Sequence, residues 1–359
     1  MFGQRLRLAR RRAGLSMRSL AGQMTPKVTA QAISKYEAGQ MLPSSAVLVA
    51  LARALDVSLD FLMSGQVEDL EGIEFRRHSK TSARDRAKAE AILIDNLERQ
   101  LVIERILDMP ATGDWIERHR CDSVASEAQV DAKADELRNA WNLGMDPIPS
   151  LCNLLEEKGI KVVEANLPET INGLACQAVK GGKPVAEAVV VSSRVNVERK
   201  RFTLAHELAH RIIRSTGNPS IDLEKAMNRF AGAFLVPSQR LREEVGNRRQ
   251  RVTYYEIARL KHAFGVSAAA MLHRLEDVGV LPPRSVRHAF ATFARSWRKT
   301  EPEPLLPHHG FAHFEKPCRF KRLVSRAVGE ELISPLRAAS LLDESLDSVE
   351  RQISGPTAQ

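Results

Sequence analysis

The sequence predicts a mainly α protein with a small β-sheet, an α+β fold. An all-α helix-turn-helix domain comes first, then a mixed domain, then a helical C-terminal region. Three observations predict this. Apolar residues recur at helical spacing through most of the chain. Three short runs rich in Val and Ala, Ile160–Glu164, Leu174–Val179 and Ala186–Val191, read as strands, the last two separated by Gly181-Gly182. The net positive charge gathers in the first 65 positions, which carry +6 of the chain's +9.

With 359 residues the chain has room for two or three domains. The expected division is 1–65, a linker with a long helix over 66–129, a second domain over 130–283, and a C-terminal region over 284–359. A hydrophobic content of 43% with 27% charged residues suits folded globular domains. The net charge of +9 points to a nucleic-acid partner. Cys121, Cys152, Cys176 and Cys318 form no CxxC pair, which suggests reduced thiols rather than a disulfide framework. The basic start from Arg5 to Arg12 lacks the apolar core of a signal peptide, and no run approaches a membrane span. A soluble, cytoplasmic protein is expected, with no membrane partner.

The first domain holds nine basic residues against Glu37, Asp56 and Asp60, a surplus of six. Leu6, Ala9, Leu20, Ile33, Leu51 and Leu55 form its apolar stripes. Ser16 can cap a helix through Met24, and Thr29 a second over Ala30–Ala38, ended by Gly39. In a helix-turn-helix the second helix enters the major groove N-terminus first. Ala32, Ile33 and Tyr36 then face or flank the core, while Gln31, Ser34 and Lys35 point outward. Gln31 could read adenine; Arg18, Thr29 and Lys35 suit phosphates. The stretch from Val28 to Pro43, with Leu51-Ala52 and Leu55-Asp56-Val57, resembles the Cro/C1-type (XRE) DNA-binding family. Met24-Thr25-Pro26-Lys27 makes its turn longer than the usual pattern.

In the linker, Gly72–Arg77 reads as a short strand and Ala83–Asp108 as one long helix without Gly or Pro. That helix reads as a spacer or as the helix of a homodimer, since many DNA-binding modules of this size work as dimers on two half-sites.

In the second domain the chemistry lies in Phe202–His210, which contains HExxH. Positions i and i+4 share a helix face, so His206 and His210 can offer two imidazole nitrogens to one tetrahedral metal. Glu207 lies about a hundred degrees round the axis, beside the metal rather than on it, where it could serve as general base. The bland alternative is an amphipathic helix that happens to carry two histidines. A second helix, Glu224–Pro237, argues against it. There Leu223, Met227, Phe230, Ala231 and Phe234 form a buried stripe, and Glu224 and Asn228 lie beside it at i and i+4. Glu224 could supply a third ligand and Asn228 could steady a ligand by a hydrogen bond. The two stretches resemble the ImmA/IrrE family of metallopeptidases, over roughly Asp131–Leu281. Many members carry a second acidic residue two places after the helix Glu; this chain has Ala226 there.

The resemblance implies a zincin-like domain holding one Zn²⁺ per chain. The domain would sit on double-stranded DNA and cut a protein substrate, a repressor or this chain's own DNA-binding domain, in a stress, phage or mobile-element response. Two other readings share the sequence: a transcription factor whose peptidase fold only senses a ligand, and a component of a toxin–antitoxin pair. An extended substrate is expected to add to a sheet edge, with Ala186–Val191 as that edge. Leu260–Leu272 faintly resembles a second helix-turn-helix, but has no basic surplus and is expected to pack against the peptidase. In the tail, His308, His309, His313 and Cys318 lie in a Pro-containing run read as a solvated loop, and Phe320–Glu350 reads as helical.

Overall fold

Four strands, β1 (Asp69–Glu71), β2 (Lys161–Ala165), β3 (Gly173–Lys180) and β4 (Lys183–Ser192), make one mixed sheet in the order β1-β3-β4-β2. The computed structural model describes residues 2–57, 59–63, 65–73, 81–109, 115–297, 299–305 and 315–355. The expected strand residues Glu74–Arg77 and the tail histidines His308, His309 and His313 fall outside these. β3 and β4 form an antiparallel hairpin closed by Gly181 and Gly182, both at positive φ (57° and 70°), as a tight two-residue hairpin turn requires. β2 runs parallel to β4, and β1 antiparallel to β3. The expected edge strand is therefore wrong: β4 lies inside the sheet, hydrogen-bonded on both sides, and the edges are β1 and β2. A run of apolar residues such as Val189–Val191 suits a strand buried on both faces and flanked on both sides.

Side-chain alternation divides the sheet between two cores. Val162, Ala175, Val189 and Val191 face the interior of the second domain. Val163, Leu174, Cys176, Ala178, Ala188 and Val190 face the opposite way, into a core shared with the N-terminal helices.

Those helices are α1 (Phe2–Arg12), α2 (Met17–Gln23), α3 (Ala30–Glu37), α4 (Ser45–Leu55) and α5 (Leu59–Met63). Ser16, Thr29 and Ser44 cap α2, α3 and α4, each accepting a hydrogen bond from the N–H three residues on, worth about 1 kcal/mol apiece. Next comes α6 (Ala83–Ile106), whose Ala89, Leu93, Ile94 and Leu97 join this second core. Its apolar face is thus used within the chain. Arg5 of α1, buried, pairs with Glu98 of α6 and donates to the Val67 carbonyl at 2.5 Å. Glu98 in turn accepts from the N–H groups of Gln66 (3.1 Å) and Val67 (2.8 Å). The segment leading into β1 is thereby tied to both helices.

Beyond α6 the chain continues with α7 (Trp115–His119), α8 (Glu127–Ala140), α9 (Leu151–Glu157), α10 (Val197–Ile212), α11 (Leu223–Leu235), α12 (Ser238–Val245), α13 (Tyr254–Phe264), α14 (Ala268–Asp277) and α15 (Pro283–Ala291). Residues of α13 and α14, the stretch that resembles a second helix-turn-helix, are buried in the core of this second domain through Leu260, Phe264, Met271 and Leu272. The tail is not one helix but three, α16 (Arg319–Gly329), α17 (Pro335–Leu342) and α18 (Leu346–Ser354). Pro335 can only start a helix, and Asp343 ends one at φ 57°. Together with Ile103 of α6 they make a small core of their own through Val324, Ala327, Ala338, Leu341 and Val349. Among the described residues no helix is long and apolar enough to cross a membrane.

Candidate metal centre and DNA-facing surface

Asn196 caps α10, accepting from the Arg199 N–H at 3.0 Å, and Leu204, Ala205, Leu208 and Ala209 bury one face of the helix. The opposite side presents His206 and His210, partly buried, with their Nε2 atoms 3.1 Å apart. Asp222 caps α11 through the Lys225 N–H, and the stripe Met227, Phe230, Ala231 and Phe234 buries that helix in the same core. This puts Glu224, in the first turn of α11, against the histidines: Oε2 lies 3.3 Å from His206 Nε2 and Oε1 3.6 Å from His210 Nε2. Among the described residues these three are the one group of His, Cys, Asp or Glu placed to hold a metal ion, with ligand atoms all within 4.8 Å of one another.

The set fits a metal. Ligands about 2.1 Å from a tetrahedral zinc stand about 3.4 Å from each other, and the three separations here bracket that value. Asn228, one turn after Glu224, places Oδ1 3.0 Å from His206 Nδ1. With the ring hydrogen on Nδ1 donated to that oxygen, Nε2 turns its lone pair towards the shared centre. Burial works against a charged His206, but Glu224, Glu207 and Asn228 outweigh it and hold its pKa above the ordinary value. An environment that favours a proton there favours a cation for the same reason.

Glu207 is at the other side of this face. A Cβ on Gly173, the first residue of β3, would overlap the Thr203 methyl and stand 3.4 Å from Glu207 Cγ. Only a glycine lets the strand lie against this turn of the helix. Farther along, Arg211 pairs with Glu187 at 2.8 and 3.1 Å, and Glu187 accepts from Gln177 at 2.6 Å, so β3 and β4 are stitched to the end of α10.

Two functional neighbours were not read from the sequence. Gly173 has no motif around it; its role appears only when strand and helix meet. Glu315 comes from the tail and lies 114 residues from its partner Arg201. Both side chains are fully buried. Arg201 donates Nη1 to Glu315 at 2.5 Å, Nε to the Gly265 carbonyl and Nη2 to the Ile148 carbonyl. Glu315 also accepts from the Leu151 and Cys152 N–H groups in the first turn of α9, where a carboxylate suits the helix dipole. The foot of the histidine-bearing helix is therefore clamped by the tail.

On the DNA-binding side, Arg18, Thr29, Gln31, Ser34 and Lys35 are all exposed, while Ile33 and Tyr36 are buried. Arg10 grips Glu37 through two hydrogen bonds (2.6 and 2.9 Å), fixing α3 on α1.

An all-α domain with a capped, outward-facing second helix, followed by an α+β domain gathering two histidines and a glutamate, defines a DNA-binding module joined to a metallopeptidase-like one. Comparison with known families agrees. Residues 6–62 match the helix-turn-helix family model, and residues 155–276 match that of the IrrE N-terminal-like domain. The chain thus joins an XRE-type helix-turn-helix domain to an IrrE-like peptidase domain, the ImmA/IrrE arrangement. No curated protein matches it.

Proposed function

We propose that the chain is a DNA-binding transcriptional regulator whose second domain is a zinc-dependent endopeptidase. His206, His210 and Glu224 hold one Zn²⁺ per chain, and the substrate is a protein, most naturally a repressor. The convergence of three ligand atoms from two separately capped helices carries this reading. Zinc bound there would polarise a scissile carbonyl and lower the pKa of water. Glu207 takes a proton from the attacking water on its carboxylate and delivers it to the leaving amine nitrogen. Asn228 holds His206 in one tautomer. Residues 1–65 place the enzyme on duplex DNA, through phosphate contacts from Arg18, Thr29 and Lys35 and base-facing Gln31 and Ser34; this assigns it to the compartment where the DNA is, the cytoplasm.

Elemental analysis tests the metal: wild type should carry about one zinc per chain more than His206→Ala. Equal zinc contents would sink the ligand set. The DNA half is tested separately. Lys35→Ala should weaken duplex binding and lower the salt slope by about one unit, whereas Gln31→Ala should relax sequence preference. If a variant reversing the charge of Arg18 and Lys35 together binds the same DNA as tightly as wild type, this face is not the interface.

A further inference from the structure

The outer edge of β3, the side away from β4, is the edge closest to the candidate site, because β3 begins at Gly173 against Glu207. Among the described residues its strand partner on that side is β1 alone, and β1 covers only Gln177–Val179. The register is Asp69 opposite Val179, Leu70 opposite Ala178 and Glu71 opposite Gln177. Gly173 lies four residues before Gln177, about 13 Å along the strand. β1 runs antiparallel to β3, so its chain direction leads towards Gly173. A polypeptide laid antiparallel on β3 so as to pass Glu207 therefore meets, upstream, the backbone groups that β1 already uses.

We propose that β1 is a built-in occupant of the sheet edge on which an extended substrate lies, and that a substrate strand longer than a few residues engages only when β1 leaves. This rests on the peptidase reading above. One backbone edge cannot hydrogen-bond two strands at once, so β1 and the substrate compete directly. β1 is suited to a displaceable role. It has three residues, two of them exposed, and a pairing that short is weak by itself. Its position depends on what flanks it. Glu68 donates its N–H to the Val179 carbonyl and its carboxylate accepts from the Gly181 N–H. Glu98 holds the N–H groups of Gln66 and Val67, and Arg5, from the first DNA-binding helix, holds the Val67 carbonyl. The occupant strand is thus fastened partly by the DNA-binding domain, so the seating of that domain sets how firmly the edge is closed.

The test locks and releases β1 in the full-length chain. Glu71→Cys with Gln177→Cys places two thiols directly opposite in the register, within disulfide reach for cross-strand neighbours. Leu70→Pro takes the half-buried Leu70 side chain off the second core and fixes φ at about −65°, away from that of a paired strand, so it disfavours the pairing. Cleavage of fluorescein-labelled casein, an unstructured polypeptide, is followed with zinc content measured alongside. The oxidised double-Cys variant should be at least about tenfold slower than its reduced form, since the competent state would be that much rarer. Leu70→Pro should be faster than wild type at equal zinc content, and oxidant should leave the single-Cys variants unchanged. Equal rates for the oxidised and reduced pair, with the disulfide verified by mass, overturn the occupant role and leave the peptidase reading standing. No cleavage by any form, Leu70→Pro included, with one zinc bound per chain, overturns both.

Discussion

Glu207→Gln is expected to cut proteolysis by at least about a hundredfold, the lower end of what general-base removal costs, while zinc content and DNA affinity stay as in wild type. The substitution is chosen for its surroundings. Glu207 Cγ is packed close to the start of β3, beside Thr203, so a larger or reshaped side chain would push the strand away and confound the result. Glutamine keeps the volume and can still hydrogen-bond, but it cannot take a proton. His206, His210 and Glu224 remain in place, so the metal should remain too. The same variant separates the enzyme from a regulator whose peptidase fold only senses a ligand. In cells carrying a reporter, a sensor keeps its transcriptional response with Glu207→Gln, whereas a switch that works by cutting stays in one state. An unchanged response, with no metal-dependent protein fragments from wild type, would remove the enzymatic reading.

Arg201→Met should be the most destabilising single change around the site. It removes the cation from a fully buried pair and leaves the Glu315 carboxylate to neutral donors such as the Leu151 and Cys152 N–H groups. Breaking one half of such a pair costs about 3–5 kcal/mol, mostly from the stranded charge. The carbonyls of Gly265, Ile148 and Phe264 would lose this donor as well. Pairing Arg201→Met with Glu315→Gln should recover part of the loss, because the buried charge is gone; thermal and urea unfolding of the three variants would measure it. If Arg201→Met unfolds like wild type, the clamp between tail and helix is not as described. The outcome bears on zinc also, since Arg201 lies just over one turn before His206 on the same helix.

What could be read before folding was local. The alignment of His206 with His210, and of Glu224 with Asn228, follows from the helix period, which any four-residue spacing obeys. The caps at Ser16 and Thr29, the outward Gln31 and Lys35, and the inward Ile33 and Tyr36 rest on interactions within three or four residues. Short apolar runs marked three strands close to their observed bounds. These elements needed only short-range backbone geometry and a preference for burying apolar faces.

The sheet order did not follow from that. Ala186–Val191 has the look of any apolar strand, and nothing within it says whether one or two neighbours will pair with it. Strand order depends on which distant segments meet, and Asp69–Glu71 joins β3 across more than a hundred residues. The long helix was equally silent: the leucines that could have faced a second copy are spent on the DNA-binding helices and the sheet. Glu315 carried no signal as a buried partner of Arg201, because a charged residue in a Pro-containing run looks like any solvated one until its partner is brought to it. By itself, then, the sequence determined the caps and buried faces of the helices named above and which four side chains meet the spacing rule for a metal site. Tertiary structure decided which edge of the sheet stands beside Glu207, what already occupies it and what holds the histidine helix at its foot. Those depend on contacts between residues far apart in the chain, where local periodicity has no say and packing of the whole selects among alternatives that look alike locally.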